Sequence, residues 1–122
     1  MNNYIKQAIR TNTDLKHPIG LHNQDLIHAA FGLCSEAGEL IDQIKRHFFY
    51  GKPLDIVNIK EEMGDMFWYL AILADWLECD FSEIMTANIE KLKVRYPEKF
   101  SMDKALHRDL NAERKVLEQK KG

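Results

Sequence analysis

Apolar residues recur every three or four positions along most of the chain, which is the spacing of an amphipathic helix. No segment alternates apolar and polar residues with a period of two, so the pattern predicts no β-strand. Pro18, Pro53 and Pro97 fall between the periodic segments, where prolines end or separate helices. The sequence therefore predicts an all-α protein.

Two periodic segments are long enough to form the body of a helical bundle. The first is predicted to run from the N-cap candidate Asn23 to about Phe49, and the second from Asp55 to about Glu78. The core-facing row predicted for the first helix is Leu26, Ala30, Leu33, Ala37, Leu40, Ile44 and Phe48. The second helix carries an apolar row of Ile59, Met63, Met66, Leu70, Leu73 and Leu77 and a mixed row of Glu62, Asp65, Tyr69, Ile72 and Trp76. Because the second helix is apolar around much of its circumference, we expect part of it to pack against another subunit.

Shorter helices are predicted on both sides of this pair. An N-terminal helix spans about residues 2–11, and a polar loop follows it. Another helix is predicted to open at Asp80, where Asp80 and Glu83 have the spacing of a capping box, and to end before Pro97. These elements complete a helical body that we place at residues 1–100.

The last segment is predicted to be a charged arm of the same domain. Residues 101–122 begin with Ser101, an N-cap candidate, and continue as a highly charged helix that frays into a basic tail. We see no internal repeat and no low-complexity segment, so the chain is predicted to form one domain.

Composition and charge narrow the class of protein. A chain of 122 residues with 45% hydrophobic and 30% charged residues is typical of one globular domain. The net charge is -2 and the basic residues are scattered, which argues against a nucleic-acid partner. No apolar segment approaches the roughly 18 residues of a membrane span, and no signal peptide is visible. Cys34 and Cys79 lack metal or disulfide spacing, so we expect reduced core thiols in a cytoplasmic protein without a membrane partner.

Two short segments place carboxylates in pairs on the predicted long helices. SEAGEL contains Glu36 and Glu39, and EEMGDM contains Glu62 and Asp65. Acids three apart lie on the same side of a helix, where like charges are unfavourable by roughly 0.2–0.5 kcal/mol per pair. If the two helices are antiparallel neighbours, the four carboxylates converge on one cleft, and a divalent cation would offset their repulsion. Oxygen ligands without His or Cys favour Mg²⁺, for which Mn²⁺ can substitute.

The residues alone leave a second interpretation open. Glutamate is a good helix former, and acids on a solvated helix face need no ligand. Glu61, which adjoins the second pair, is predicted to be such a solvated residue. Gly38 and Gly64 each precede the second acid of a pair and cost a helix about 1 kcal/mol relative to alanine, a loss that close helix approach would offset. The periodicity therefore supports a metal site and a solvated acidic face equally.

Two segments of the sequence resemble a known family. GLCSEAGEL, followed later by EEMGDMFWYL, resembles the MazG-like all-α NTP pyrophosphatase superfamily, whose metal motif is ExxE followed by ExxD on two antiparallel helices. NIEKLKVRYPEKFS is similar to the segment that these proteins carry on the next helix, and the resemblance spans about residues 22–101. It implies Mg²⁺-dependent hydrolysis of a nucleoside triphosphate between the α and β phosphates, giving a nucleoside monophosphate and pyrophosphate.

The resemblance also implies roles for individual residues. The implied metal ligands are Glu36, Glu39, Glu62 and Asp65, and the implied phosphate-binding residues are Asn88, Lys91 and Arg95. We expect Glu39 to orient or deprotonate the attacking water, and Tyr69 and Trp68 to contact the substrate. Small members of the superfamily are dimers or tetramers with four-helix-bundle cores, so the resemblance implies a homodimer or homotetramer.

Other classes of protein remain as alternatives. A di-iron bundle is disfavoured because its motif is Glu-x-x-His, whereas Glu39 and Asp65 stand at the histidine positions. A non-catalytic helical interaction module would leave the acids solvated and would bind a partner through the charged tail. Lys91 and Arg95 could also lie on an exposed helix face without a ligand. A related hydrolase acting on another nucleotide phosphoanhydride would share the same motifs.

Overall fold

The computed structural model describes residues 2–119, which form six α-helices and no strand. The helices are α1 (Asn3–Ile9), α2 (Gln24–Tyr50), α3 (Ile56–Trp76), α4 (Phe81–Arg95), α5 (Met102–Leu106) and α6 (Leu110–Glu118), and a 3-10 helix at Leu21–Asn23 precedes α2. The predicted all-α class is therefore confirmed. None of the described helices combines the length and the apolarity that a membrane span requires.

Helices α2 and α3 form a long antiparallel hairpin whose ends are set by local signals. Helix α2 stops at Gly51, which adopts the left-handed conformation at a φ of 67°. Asp55 caps α3 by accepting the N–H of Asn58 at 3.0 Å. Asn23 occupies the N-cap position of α2, but its side-chain amide donates to the carbonyl of Pro18 at 3.2 Å instead of capping the helix. The predicted boundaries agree with the structure to within about two residues.

The face buried inside this hairpin agrees only in part with the predicted apolar rows. The buried residues are Ala29 and Gly32 in α2, and Glu62 and Ala74 in α3. Phe48, from the row predicted to face the core, is 74% exposed, and Met63, from the apolar row of α3, is 47% exposed. Helix α3 instead turns its mixed row, which includes Tyr69, toward α2. Of the predicted core row of α2, Leu26, Leu33, Ala37 and Leu40 are half-buried, whereas Ala30, Ile44 and Phe48 are exposed. The predicted row is therefore correct only in part for the single chain.

The close approach of α2 and α3 occurs at Gly32. A Cβ atom at this position would overlap the ring of Tyr69, whereas a Cβ atom at Gly38 or Gly64 would meet nothing within 4 Å. The prediction that Gly38 and Gly64 permit close approach of the two helices is therefore wrong within the single chain. The missing side chain of Gly32 is what admits the aromatic ring between the helices.

The C-terminal part of the chain is a second packing unit in which α4 lies against α6. Asp80 caps α4 by accepting the N–H of Ser82 at 3.0 Å. The predicted single charged helix is instead two helices, because Asp109 accepts the N–H of Ala112 at 3.0 Å and starts α6 as a new N-cap. Ser101 caps α5 as predicted. The end of the predicted basic tail, residues 120–122, lies outside the described residues.

Much apolar surface remains exposed on the chain. Its solvent-accessible surface is 10489 Å², whereas a compact monomer of 14.3 kDa exposes about 6,800 Å². The exposed apolar residues include Leu21, Phe31 and Phe49, which are 91%, 73% and 80% exposed. Cys34 is also exposed rather than buried, which corrects the prediction of a core thiol, and both cysteines are free as predicted. Exposed apolar surface on this scale indicates an interaction surface.

Candidate metal centre

Three of the four predicted metal ligands converge between α2 and α3. Glu36 of α2 and Glu62 and Asp65 of α3 each place one carboxylate oxygen within 4.8 Å of the other two. Two oxygens on opposite sides of a Mg²⁺ ion are about 4 Å apart, so small side-chain movements would let the three carboxylates share one ion. Glu39 is exposed and lies outside this group of three. The structure therefore assembles the predicted acidic centre from both motifs, with Glu39 at its edge.

The burial of Glu62 and the partial burial of Glu36 distinguish this cluster from an acidic patch on a solvated face, whereas Asp65 is exposed. Glu62 is only 6% exposed. The Oε2 atoms of Glu36 and Glu62 are both buried and, when both groups are ionised, have no hydrogen-bond donor among the described residues. Dehydrated carboxylates without a partner are destabilising by several kcal/mol, and nearby like charges add to that penalty. The residues therefore fit a divalent cation, whose charge would compensate them.

The neighbouring carboxylates also change the acidity of the cluster. The pKa of Glu36 is raised from 4.5 to about 7, first by the adjacent carboxyl of Glu62, with which it can share a proton. Partial burial and the charges of Glu39 and Asp65 raise the pKa of Glu36 further. Without a cation, the cluster therefore retains a proton in a pH range where an isolated glutamate would have lost it.

For protein kept metal-free with a chelator, we expect the free energy of unfolding to fall as the pH rises from 4.5 to about 7. Across this window the folded chain keeps the Glu36 proton that the unfolded chain releases, so each increase in pH favours the unfolded state. Chemical denaturation at about pH 5 and about pH 8 measures the difference, and Glu36→Gln should reduce it. An equal pH dependence in Glu36→Gln and the wild type would contradict this prediction.

An aromatic cluster adjoins the acids on the side toward the start of α2. Tyr69 lies one turn beyond Asp65, and its ring contacts Trp68 and His28 edge-on, with centroids 5.0 Å and 5.5 Å away. Trp68 is 56% exposed. His28 borders an open cleft of about 760 Å³, which is lined by Ile19, Gly20, Leu21, Gln24, Ile27 and His28. The acidic centre therefore has an aromatic, concave surface beside it.

The sequence pattern gives no sign that His28 belongs to this surface. A lone histidine without ligand spacing carries no metal signal, and its aromatic partners on α3 are fixed by the helix pairing. The loop before α2 is fixed in a similar way, because Nε1 of Trp76 donates to the carbonyl of His22 at 2.8 Å.

Asn58 is a second residue near the acidic centre that the sequence prediction did not include. It lies one turn before Glu62, and its Oδ1 atom is buried without a partner, so the four-residue spacing from Glu62 was the available signal.

The predicted phosphate-binding residues lie on α4, outside this cluster. Asn88 is exposed, Lys91 is half-buried, and α4 makes its main packing contact with α6 rather than with α2 or α3 in the described chain. The guanidinium of Arg95 donates to Oε1 of Glu113 through Nη2 at 2.7 Å and through Nε at 2.9 Å. Packing within one chain therefore does not bring these residues onto the acidic centre.

Fold and site together define an all-α protein with a carboxylate centre suited to a divalent cation. The family model for the MazG nucleotide pyrophosphohydrolase domain matches residues 24–100, which contain both acidic pairs and α4. The chain therefore belongs to the MazG nucleotide pyrophosphohydrolase family, as the resemblance predicted. It is similar to Gene 37 protein of Mycobacterium phage L5, with 31% identity over 77 residues that cover 59% of this chain and 67% of that protein. No solved structure matches the chain significantly.

Proposed function

We propose that the protein is a Mg²⁺-dependent nucleoside triphosphate pyrophosphohydrolase. It cleaves ribo- or deoxynucleoside triphosphates between the α and β phosphates and releases a nucleoside monophosphate and pyrophosphate, and Mn²⁺ can replace Mg²⁺. The observation that carries the proposal is the convergence of Glu36, Glu62 and Asp65, with two buried and unpartnered oxygens, in a member of the MazG family.

The four acids divide the work of the proposed reaction. Glu36, Glu39, Glu62 and Asp65 would hold the cation, which supplies charge neutralisation at the phosphates and acidifies water when bound. Glu62 is the most buried of the four acids and fixes the position of the bound cation. Glu39 is exposed beside the cluster, where it can orient the attacking water and accept its proton.

The substrate would extend from the acids along the aromatic cluster. Exposed Trp68 offers a ring for stacking on the nucleobase, and the ring of Tyr69, one turn beyond Asp65, contacts the ring of Trp68. Asn88, Lys91 and Arg95 bind the phosphates, where lysine and arginine give charge-assisted hydrogen bonds. Because α4 does not pack extensively on α2 or α3, we place these three residues against the acids of a second subunit.

We expect the protein to be a homodimer or homotetramer, because pairing two α2–α3 hairpins would form a four-helix bundle and cover the excess apolar surface. Light scattering at micromolar concentration should give two or four times the chain mass of 14.3 kDa. A mass equal to that of one chain across a dilution series would contradict this expectation.

The function is tested by product analysis on a panel of ribo- and deoxynucleoside triphosphates, with Mg²⁺ and with chelator. Monophosphate and pyrophosphate that form only with metal are the expected products. Turnover restricted to another nucleotide phosphoanhydride would instead identify a related hydrolase. No turnover together with no Mg²⁺ binding by calorimetry would overturn the proposal and favour the non-catalytic interaction module.

A further inference from the structure

The most buried charged residue of the described chain lies outside the acidic centre. Glu113 of α6 is 3% exposed. Arg95 of α4 donates two hydrogen bonds to its Oε1 atom, and Arg108, from the turn between α5 and α6, donates to Oε2 through Nε at 3.0 Å and to Oε1 through Nη2 at 3.4 Å. One buried carboxylate thus holds two arginines from two different elements.

These contacts keep Glu113 ionised. Burial alone would raise the pKa of Glu113, but the hydrogen bonds from Arg108 and Arg95 outweigh burial and leave the pKa below its usual range. The three hydrogen-bonded groups therefore carry two positive charges and one negative charge. The nearest acid in the sequence, Asp109, directs its carboxylate to the N–H of Ala112. A net positive charge at a partly dehydrated site favours the binding of an anion.

The two guanidinium groups retain hydrogen-bonding capacity toward such an anion. A guanidinium has five N–H donors, and each arginine uses two of its nitrogens on Glu113. Arg95 also interacts with Tyr96, so most of the free donors belong to Arg108. The side chain of Arg95 is 16% exposed and that of Arg108 is 39% exposed, so Arg108 is the more accessible to solvent. Arg108 also borders an open cleft, which is lined by His107, Arg108, Asp109, Leu110 and Asn111.

We propose that Arg108 is a second phosphate-binding arginine of this enzyme, and that Glu113 is a positioning residue that holds Arg108 beside Arg95. The inference rests on the proposed function, which assigns Arg95 to the substrate phosphates. Paired guanidinium groups suit the charge of a triphosphate and of pyrophosphate, the product that shares its two terminal phosphates. Arg108 lies beyond the residues that the family model matches, so the C-terminal segment adds this contact to the MazG domain.

The decisive variant is Arg108→Gln, with Arg114→Gln as the matched control. Arg114 is also an arginine of the C-terminal segment with a carboxylate partner, but it pairs with Glu118 on the exposed surface of α6. We expect Arg108→Gln to raise KM for the triphosphate about ten- to hundredfold, which is the range for loss of hydrogen bonds to a charged group. The affinity for inorganic pyrophosphate with Mg²⁺, measured by calorimetry, should fall by a similar factor. Arg114→Gln should leave both quantities close to wild type.

Two further variants separate positioning from simple stabilisation. Arg108→Lys keeps the charge but loses the paired geometry, so its KM should lie between those of the wild type and Arg108→Gln. Glu113→Gln should raise KM as Arg108→Gln does and also lower Tm. If Glu113→Gln fails to fold, Arg108→Gln still tests whether Arg108 binds phosphate. An arginine with only a structural role would lower Tm without changing KM or pyrophosphate affinity.

The outcomes distinguish this inference from the proposed function. Wild-type turnover with equal KM in Arg108→Gln and Arg114→Gln would overturn the role of Arg108 and leave the function intact. No wild-type turnover together with no Mg²⁺ binding would overturn the function, and pyrophosphate binding would then test the role of Arg108 separately. Equal pyrophosphate affinity in Arg108→Gln and Arg114→Gln would refute the anion site.

Discussion

Glu62→Gln is expected to lower kcat by about a hundredfold or more and to weaken Mg²⁺ binding by a similar factor, because loss of even an outer partner of a metal ligand costs 10–100-fold. Glu62 is the buried member of the acidic centre. Its Oε2 atom has no hydrogen-bond partner in the described part of the chain, so a bound cation would compensate its charge. Glutamine keeps the shape of the side chain but removes the charge. Steady-state kinetics over a Mg²⁺ titration and calorimetry of Mg²⁺ binding measure the two effects.

Glu61→Gln is the matched control for this substitution. Glu61 is the preceding residue of α3, is exposed and accepts a hydrogen bond from the side chain of Asn58 at 3.3 Å. The same chemical change at Glu61 should therefore leave kcat and Mg²⁺ affinity nearly unchanged. In metal-free protein, Glu62→Gln should not lower Tm, because it removes a buried charge from a repulsive cluster. Equal kinetics in the two variants would exclude Glu62 from the site.

The helix boundaries were predictable because the signals that set them are local. Gly51 supplies the left-handed residue that ends α2, and Asp55 and Asp80 supply side-chain oxygens at the starts of α3 and α4. Each acts within a few residues of its own position, so the sequence shows it directly. Asp109 gave the same kind of signal, but the charged pattern around it was interpreted as one continuous helix.

The buried faces were harder to predict because periodicity does not identify the partner of an apolar row. The row of α3 that includes Met63 and the row that includes Tyr69 both have helical spacing, but Tyr69 packs against Gly32 of α2 whereas Met63 is 47% exposed. Hydrophobicity would assign the apolar row to the core. The exposure of Met63, Leu70 and Leu77 in the single chain agrees with an intersubunit contact, which a pattern within one sequence cannot separate from a core.

The candidate site was predictable to the extent that it depends on spacing within two helices. Three-residue spacing places Glu62 and Asp65 on one side of α3, and pairing with α2 brings Glu36 to them. The link between Arg95 and Glu113 depends instead on how a later helix folds back on α4, and sequence spacing does not report it. Contacts between residues far apart in the sequence depend on tertiary packing, and the motifs do not predict them.

Gly32→Ala is expected to destabilise the fold by about 1–3 kcal/mol, the usual range for overpacking a core. The added Cβ atom would overlap the ring of Tyr69, which must move away from its contact with His28 or push α2 and α3 apart. Glu36 lies one turn beyond Gly32 on α2, so separation of the helices would also widen the acidic centre. Because a displacement of about 1 Å can reduce turnover about a hundredfold, we expect kcat to fall on that scale.

A double-mutant cycle isolates the contact that causes this effect. In a Tyr69→Ala background the ring is absent, so Gly32→Ala should become neutral or stabilising, because alanine is favoured over glycine in a helix by about 1 kcal/mol. Gly38→Ala is the control within α2, since its Cβ atom would meet nothing in the single chain. Gly38→Ala should therefore raise Tm slightly. Gly32→Ala could instead lower the free energy of unfolding equally with and without the Tyr69 ring. In that case the glycine does not act by admitting that ring, and the close approach at Gly32 does not set the spacing of the acids.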